Sequence, residues 1–298
     1  MRHRTLKIIL REILALSFIL SAAAKLVGAD SFELYIFSFE LFSLGASFIF
    51  ARLVICMELI LGLWLMLNTH PKASAISALS VLGGFSVFLM VLMLSGNRDS
   101  CHCFGEFVDL SPGQSLIKNG VIIALTLASM GEGLAPFKLP HKKWILSSIT
   151  VLSVAAVFII SVPDNFRYSS FSIDGFNLEQ FNTAVSEGLV SSDLTQGEDL
   201  ICFFSFNCNF CHMTAQKLGI MLRQGQFENA YVHIIVGGDY EDFNASQQQF
   251  FEGTKMEYDT IDSINATSFV DITNGNLPVV VHMRDGQLIE QWTYRDLH

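Results

Sequence analysis

The sequence predicts a multi-pass α-helical membrane bundle followed by a soluble α/β domain. Three observations predict it. The chain of 298 residues is 51% hydrophobic with a mean hydropathy of +0.44, too apolar for one soluble domain and long enough for two. Charge is split: residues 1–163 hold 12 Lys and Arg against 9 Asp and Glu, whereas residues 164–298 hold 6 against 19. Long apolar runs fill the first part, and short apolar runs between polar turns fill the second. The acidic second part argues against nucleic acid as a partner. Pro163 marks the boundary.

Residues 5–27 read as the first span, long enough for a hydrocarbon core of roughly 30 Å. Arg11 and Glu12 near its start pair within the helix or snorkel to the interface, and Lys25 reads as interfacial. A cleaved secretory signal is the rival reading. Further spans, and apolar character that runs past Ser21-Ala22-Ala23-Ala24, speak against it. Residues 28–43 carry Asp30, Glu33 and Glu40 and no Lys or Arg. Residues 45–67, 75–95, 116–135 and 144–162 read as spans two to five. Between them lie a short loop (68–74), a polar loop with Cys101 and Cys103 (96–115) and a basic loop (136–143). The expected organisation is a four-span membrane domain over 1–136, a fifth span within 137–163, a linker and lead-in segment over 164–195, and a soluble domain over 196–298.

Orientation follows from Lys and Arg in the short loops. Arg2, Arg4, Lys7, Lys72, Lys138, Lys142 and Lys143 all fall on one side, which is therefore cytoplasmic. Five spans then put the Cys101/Cys103 loop and the whole soluble domain outside, where disulfides form and persist. The expected location is the bacterial inner (cell) membrane, with the bilayer as one partner.

In the soluble part, Phe171, Ile173 and Phe176 read as the start of a strand and Leu178 to Val185 as a short helix. The apolar run Ile201 to Phe206 reads as a strand, followed by Cys208-Asn209-Phe210-Cys211 and a helical pattern in which Gln216, Lys217 and Arg223 are the polar positions. Tyr231 to Val236 reads as a buried strand and Ala245 to Glu252 as a helix. Asp285-Gly286 between two apolar runs signals a hairpin. Asn244-Ala-Ser and Asn265-Ala-Thr match the glycosylation sequon, a pattern common by chance.

The chemistry concentrates at Cys208-x-x-Cys211. A cysteine at a helix N-terminus sits beside the positive end of the macrodipole and near unpaired backbone N–H groups. Both favour the thiolate, making the thiol a nucleophile and a good leaving group. The bland alternatives are a buried pair or half of a zinc site, but no second metal-ligand pair is nearby. Cys101 and Cys103, one residue apart, would close a small strained ring as a disulfide, and strained bridges are more oxidising. His102 between them tunes a thiol or moves a proton. Metal ligation by Cys-His-Cys is the alternative, though three ligands in three residues suit tetrahedral geometry poorly. Cys202 reads as a core thiol, Cys56 as packing inside span two, and His212 as a solvated helix residue. Glu58 and Arg52 are charges within a span; Glu58 is a candidate proton or quinone site, with an interhelix hydrogen bond as the plainer reading.

Strand, C-x-x-C, helix, strand and then Leu277-Pro278 before a hairpin resemble the thioredoxin fold. The resemblance implies a cis proline at Pro278, substrate binding by Leu277 and Pro278, Cys208 as nucleophile and Cys211 as resolving cysteine. Asn207 departs from the Trp usual there, and the usual final helix is short or missing. The membrane part resembles the DoxX-like, methylamine-utilisation MauE group. The carriers are Ser21-Ala22-Ala23-Ala24-Lys25-Leu26, Glu58-x-x-x-Gly62 and Cys101-His102-Cys103-Phe104-Gly105. That likeness implies a role in disulfide formation in a partner protein. The joining of the two parts is similar in plan to vitamin K epoxide reductase homologues fused to thioredoxin.

The fold class expected is thus a four-helix DoxX/MauE-like bundle plus a fifth span, followed by a thioredoxin-like domain. The function expected is a membrane-anchored thiol–disulfide oxidoreductase acting on extracytoplasmic protein thiols and disulfides, recycled through Cys101 and Cys103. Oxidation is favoured over reduction, because a relay from the cytoplasm needs cysteines reachable from inside and only Cys56 lies within a span. No tightly bound cofactor and no metal are expected, and a quinone is the candidate electron acceptor. The alternatives are a reductive relay, a non-enzymatic assembly factor or chaperone for a cysteine-rich client, and a transporter or metal handler. A linker of about 30 residues reaches on the order of 30 Å as a flexible coil, enough to permit exchange between the two pairs.

Overall fold

The computed structural model describes residues 2–68, 70–94, 110–130, 141–167, 175–191, 194 and 196–297. The chain divides into two compact units, Met1–Ile36 with Ala46–Pro163, and Phe37–Gly45 with Asp164–His298.

The first unit is helical: α1 (Arg2–Val27), α2 (Ala29–Phe37), α3 (Leu44–Leu67), α4 (Pro71–Leu94), α5 (Pro112–Ser129) and α6 (Lys142–Ile160). Among the described residues α3, α4 and α6 are the helices long and apolar enough to cross a membrane. α1 is longer, at 26 residues, but carries Lys7, Arg11, Glu12 and Lys25. The 28–43 stretch, read only for its acidic residues, holds α2. α5 starts at Pro112 rather than 116. Ser111 accepts from the Gln114 backbone N–H, Gln114 Oε1 accepts from the Ser111 N–H, and Pro112 needs no partner at the first helical position.

Among the described residues two larger apolar clusters hold this unit together, beside a smaller one around Leu89. Leu14, Ala15 and Phe18 of α1 meet Leu61 and Leu65 of α3 and Ala78 and Leu82 of α4. Ala22 of α1, Phe32 and Ile36 of α2, Ala51, Ile55 and Cys56 of α3 and Val157 of α6 form the second, so the fifth expected span packs in the bundle. α1 and α3 approach closely at Gly62, where a Cβ would sit 2.6 Å from Ile19 Cγ1 and 3.0 Å from the Ala15 carbonyl oxygen. Small residues at such crossings are what dense helix packing in lipid requires.

The buried charges correct two expectations. Arg11 neither pairs within its helix nor snorkels. It is buried, donates from Nε to the Leu65 carbonyl (2.7 Å) and from Nη2 to Ser74 Oγ (2.8 Å), and so ties α1 to the end of α3 and the start of α4. Lys25 is not interfacial: its Nζ donates to both Glu58 oxygens (2.9 and 2.8 Å) and to Ser21 Oγ (2.7 Å). Arg52 pairs with Glu33 and donates to the Ser161 carbonyl oxygen (3.0 Å), tying α3 to α2 and to the end of α6. An ion inside such a bundle is tolerated when it is paired and hydrogen-bonded, as these are.

The second unit is built on a sheet of order β3-β2-β1-β4-β5: β1 (Glu198–Phe204), β2 (Tyr231–Gly237), β3 (Thr260–Ile264), β4 (Val279–Arg284) and β5 (Gln287–Trp292). β1 is parallel to β2, and β2 to β3; β4 runs antiparallel to β1 and β5 to β4. The central β1 is buried on both faces, which explains its unbroken apolar run. One face carries Ile201, Phe203, Ile235, Val279, Val281 and Met283 against α8 (Leu178–Ser186) and α11 (Ala266–Thr273). The other carries Phe204 against Phe250 of α10 (Phe243–Phe251), and α9 (Asn209–Arg223) lies beside α10 with His212 edge-on to Phe250.

The hairpin forms as the Asp-Gly signal requires, with positive φ at Asp285 (50°) and Gly286 (75°). β3 and α11 were not expected. The segment expected as linker and lead-in supplies Phe176, Phe181, Ala184, Val190 and Leu194 to the core. Its expected first strand residues, Phe171 and Ile173, lie outside the described residues, and Phe176 is outside regular structure. Between this segment and α6 comes the single turn α7 (Asp164–Arg167).

Candidate functional site

β1 ends at Phe204, and four residues later Cys208 takes the N-cap position of α9. Its backbone is extended (φ −102°, ψ 113°), its carbonyl accepts from the His212 N–H (3.1 Å), and its N–H donates to the Ser205 carbonyl (3.1 Å). In a capping position the side chain accepts from a first-turn N–H. Here sulfur does so: Cys208 Sγ accepts from the Cys211 N–H at 3.1 Å. Cys208 is half-buried, whereas Cys211 is fully buried, and both are free thiols.

The two sulfurs differ electrostatically. The Cys211 thiol donating to the Cys208 sulfur, with help from the Cys211 and Phe210 backbone N–H groups and against the effect of burial, lowers the Cys208 pKa to about 7. Burial, and then the neighbouring Cys208, pushes the Cys211 thiol far above the ordinary thiol range. The arrangement is an ionisable outer sulfur held by a proton on an inner one. It is equipped for nucleophilic attack at Cys208 and for a delayed second attack from Cys211. Cys202, in the strand behind, is fully buried and its thiol is pushed up by burial, as a core thiol.

Pro278 precedes β4, and the peptide bond Leu277–Pro278 is cis. Phe203 is in register with Val279, so Pro278 is level with Phe204 at the end of the sheet from which the Cys208 loop departs. Leu277 is 41% exposed, and Phe210, between the two cysteines, is 44% exposed. Cys101, His102 and Cys103 lie outside the described residues. Glu58 is far from free: both of its oxygens are engaged by Lys25. Among the described residues no group of three or more His, Cys, Asp or Glu is placed to hold a metal ion.

Several contributors were not read from sequence. Lys217, read as one of the polar positions of the helical pattern, is buried, donates to the Tyr294 and Leu297 carbonyls (2.9 and 3.0 Å) and lies 4.3 Å from the Tyr294 ring centre. Tyr294 packs on Phe210 (5.3 Å between ring centres), and Arg295 lies 5.7 Å from the Phe210 ring centre and pairs with Asp164. The turn after β5 thus braces the cysteine-bearing helix. His212, expected to be solvated, is partly buried against Phe250.

Comparison with known proteins gives two matches. Residues 3–131 match the family described as methylamine utilisation protein MauE. Protein TlpB of Flavobacterium psychrophilum is 28% identical over 162 residues, 51% of this chain and 43% of that protein. The chain therefore spans less than half the length of this curated relative. No solved structure matches.

Proposed function

Starting from a chain whose residues 3–131 form a MauE-like membrane domain, we propose a membrane-anchored thiol–disulfide oxidoreductase with Cys208 as nucleophile and Cys211 as resolving cysteine. The observation that carries the reading is the asymmetric pair at the start of α9, with Cys208 lowered to about 7 beside a buried, protonated Cys211. The sheet order, the antiparallel hairpin and the cis bond before Pro278 support a thioredoxin-like domain. In this reading exposed Leu277 and Phe210 serve as apolar contacts for an incoming protein chain.

In the oxidising direction, a client thiolate attacks the Cys208–Cys211 disulfide at Cys208, and Cys211 leaves as a thiolate. A second client thiolate then attacks the client sulfur of the mixed disulfide and expels Cys208. The client gains a disulfide and the pair gains two electrons. A thiolate stabilised at Cys208 favours this direction, because it stabilises the reduced pair. The reduced pair passes its electrons to a Cys101–Cys103 disulfide, and a quinone in the bilayer takes two electrons and two protons from that second pair. Cys56 is buried in the packing of α1, α2, α3 and α6, which counts against a thiol route from the cytoplasm. Glu58 is held in an interhelix ion pair, so no step is assigned to it. Five spans with the N-terminus in the cytoplasm, in the bacterial inner membrane, place both pairs outside.

The test is a trap. Cys211→Ala in the full chain lets Cys208 attack but removes the resolving thiol, so a client accumulates as a mixed disulfide visible on a non-reducing gel. Cys208→Ala gives no such species. If both variants behave alike, or if client maturation survives Cys208→Ala, exchange is not the function.

A further inference from the structure

The turn that follows β5 brings a cation beside Phe210, the residue before Cys211. The guanidinium carbon of Arg295 is 5.7 Å from the centre of the Phe210 ring and 5.3 Å from that of Tyr294. Tyr294 is buried, and its ring meets Phe210 at 5.3 Å and Lys217 Nζ at 4.3 Å. The turn is closed by Asp296, whose carboxylate accepts from the Thr293 hydroxyl (3.0 Å), and by the Leu297 N–H donating to the Thr293 carbonyl (3.2 Å). A closed turn and two cation–π contacts fix where the charge of Arg295 sits. Its partner Asp164 lies at 3.1 Å and is hidden, with 6% of its side chain exposed against 33% for Arg295. An incoming chain therefore meets the guanidinium before the carboxylate.

Phe210 is two residues from Cys208, so their α-carbons are at most about 7 Å apart. A client residue beside the reacting cysteine is one α-carbon step, about 3.8 Å, from it. Those spans are on the scale of the Debye length, about 8 Å at 0.15 M salt, over which an exposed charge is still felt. The other Lys and Arg residues of this unit are placed differently. Lys217 is buried. Arg223 ends α9, about 22 Å from Cys208, and there donates to the Lys255 carbonyl (2.8 Å). Arg284 pairs with Glu198 at the start of β1, about 20 Å along the strand from Phe204. Arg167, exposed in α7, is the remaining one.

We propose that Arg295 is a specificity-determining residue of the exchange site, favouring client segments that carry Asp or Glu beside the reacting cysteine. The inference rests on the exchange reading and adds to it the chemical class of the client. Asp239, Glu241 and Asp242, between β2 and α10, set an opposing background that every client meets. The contribution of Arg295 is therefore read as a change in preference.

The test uses reduced full-length protein in detergent, in a Cys101→Ser, Cys103→Ser background; among the described cysteines outside the pair, Cys56 and Cys202 are buried. The probes are two symmetric peptide disulfides, one with Glu and one with Lys on both sides of its single cysteine. The Cys208 thiolate attacks either sulfur and expels one peptide thiolate; Cys211 then attacks Cys208 and expels the second. The peptide disulfide gains two electrons, the protein pair loses two, and the two protein thiol protons end on the peptide thiols. The oxidising direction passes through the same mixed disulfide, so the preference applies to it as well. Arg295→Gln is expected to lower the ratio of the acidic to the basic rate constant by about threefold to tenfold at 0.15 M salt, one exposed attraction and one repulsion being lost together. Arg295→Lys keeps most of the ratio, Arg167→Gln moves it less than Arg295→Gln, and 1 M salt removes the difference between the parent and Arg295→Gln. Arg295→Gln combined with Asp164→Asn leaves no stranded carboxylate and carries the test if the single variant does not fold. An unchanged ratio, an equal loss in Arg295→Lys, a larger loss in Arg167→Gln or a loss that survives 1 M salt overturns the inference and leaves the exchange reading standing. A parent protein that reduces neither peptide overturns the exchange reading itself, and the inference with it.

Discussion

Replacing Cys211 separates the two causes that set the reactivity of Cys208. The largest is the Cys211 thiol donating to Cys208; the Cys211 and Phe210 backbone donors are smaller and burial opposes them. Cys211→Ala removes the first, while Cys211→Ser replaces one side-chain donor with another. With a pKa of about 7, half of Cys208 is thiolate at pH 7. If Cys211→Ala returned it to an ordinary thiol pKa of about 8.5, the thiolate fraction at pH 7 would fall to about 3%. A more basic thiolate is also more nucleophilic, by about fourfold to sixfold for that change, so the rate at pH 7 falls only about threefold to fourfold. Above about pH 8 the same correction makes the alanine variant the faster one. The two rate profiles therefore cross, and the midpoint is the sharper readout. The assay is the pH dependence of alkylation at Cys208, followed by mass of the modified peptide. The expectation is a midpoint near 7 for the parent, close to it for Cys211→Ser, and clearly higher for Cys211→Ala. Identical midpoints in all three, or alkylation of Cys211 before Cys208 in the folded parent, would refute the reasoning. The sign for stability is fixed by the same shift. A depressed pKa stabilises the reduced fold fully above the ordinary thiol range, and that contribution disappears as pH falls through about 7.

Other expectations follow from single contacts. Lys217→Met leaves the Tyr294 and Leu297 carbonyls without their donor and costs about 1–3 kcal/mol, read as a lower thermal midpoint. Gly62→Ala drives a methyl into Ile19 and the Ala15 carbonyl and costs about 1–3 kcal/mol, whereas Gly83→Ala, with open space around it, is neutral; detergent melting compares them. Glu58→Met strands buried Lys25 and costs about 3–5 kcal/mol, and adding Lys25→Met restores most of the loss. A double variant no better than the single one would show that the pair is not the unit of stability.

What the sequence made legible was local. Cys208-x-x-Cys211 after an apolar run, and Asp285-Gly286 between two more, each hold their signal within about ten residues, and both appear where expected. Of the five expected spans, three, at α3, α4 and α6, are helices long and apolar enough to cross a membrane among the described residues, and they were legible for the same reason. What stayed hidden depends on partners far along the chain. Lys25 looked interfacial because its partner Glu58 is 33 residues away on another helix. The burial of Lys217 could not be read because the carbonyls that make it tolerable lie 77 and 80 residues on. β3 was missed because Thr260–Ile264 is a five-residue edge strand whose pattern is only half apolar. The start of α5 was a local signal that went unread: Ser111-Pro112-x-Gln114 is a capping box with proline at the first helical position.

The central claim is that the membrane part recycles the soluble pair. The measurement is the redox state of Cys208 and Cys211 in intact cells, fixed by rapid alkylation, with and without Cys101→Ser. The account predicts a largely disulfide-bonded pair in the parent and accumulation of the dithiol when Cys101 is lost. A pair whose redox state does not change on loss of Cys101 would contradict it.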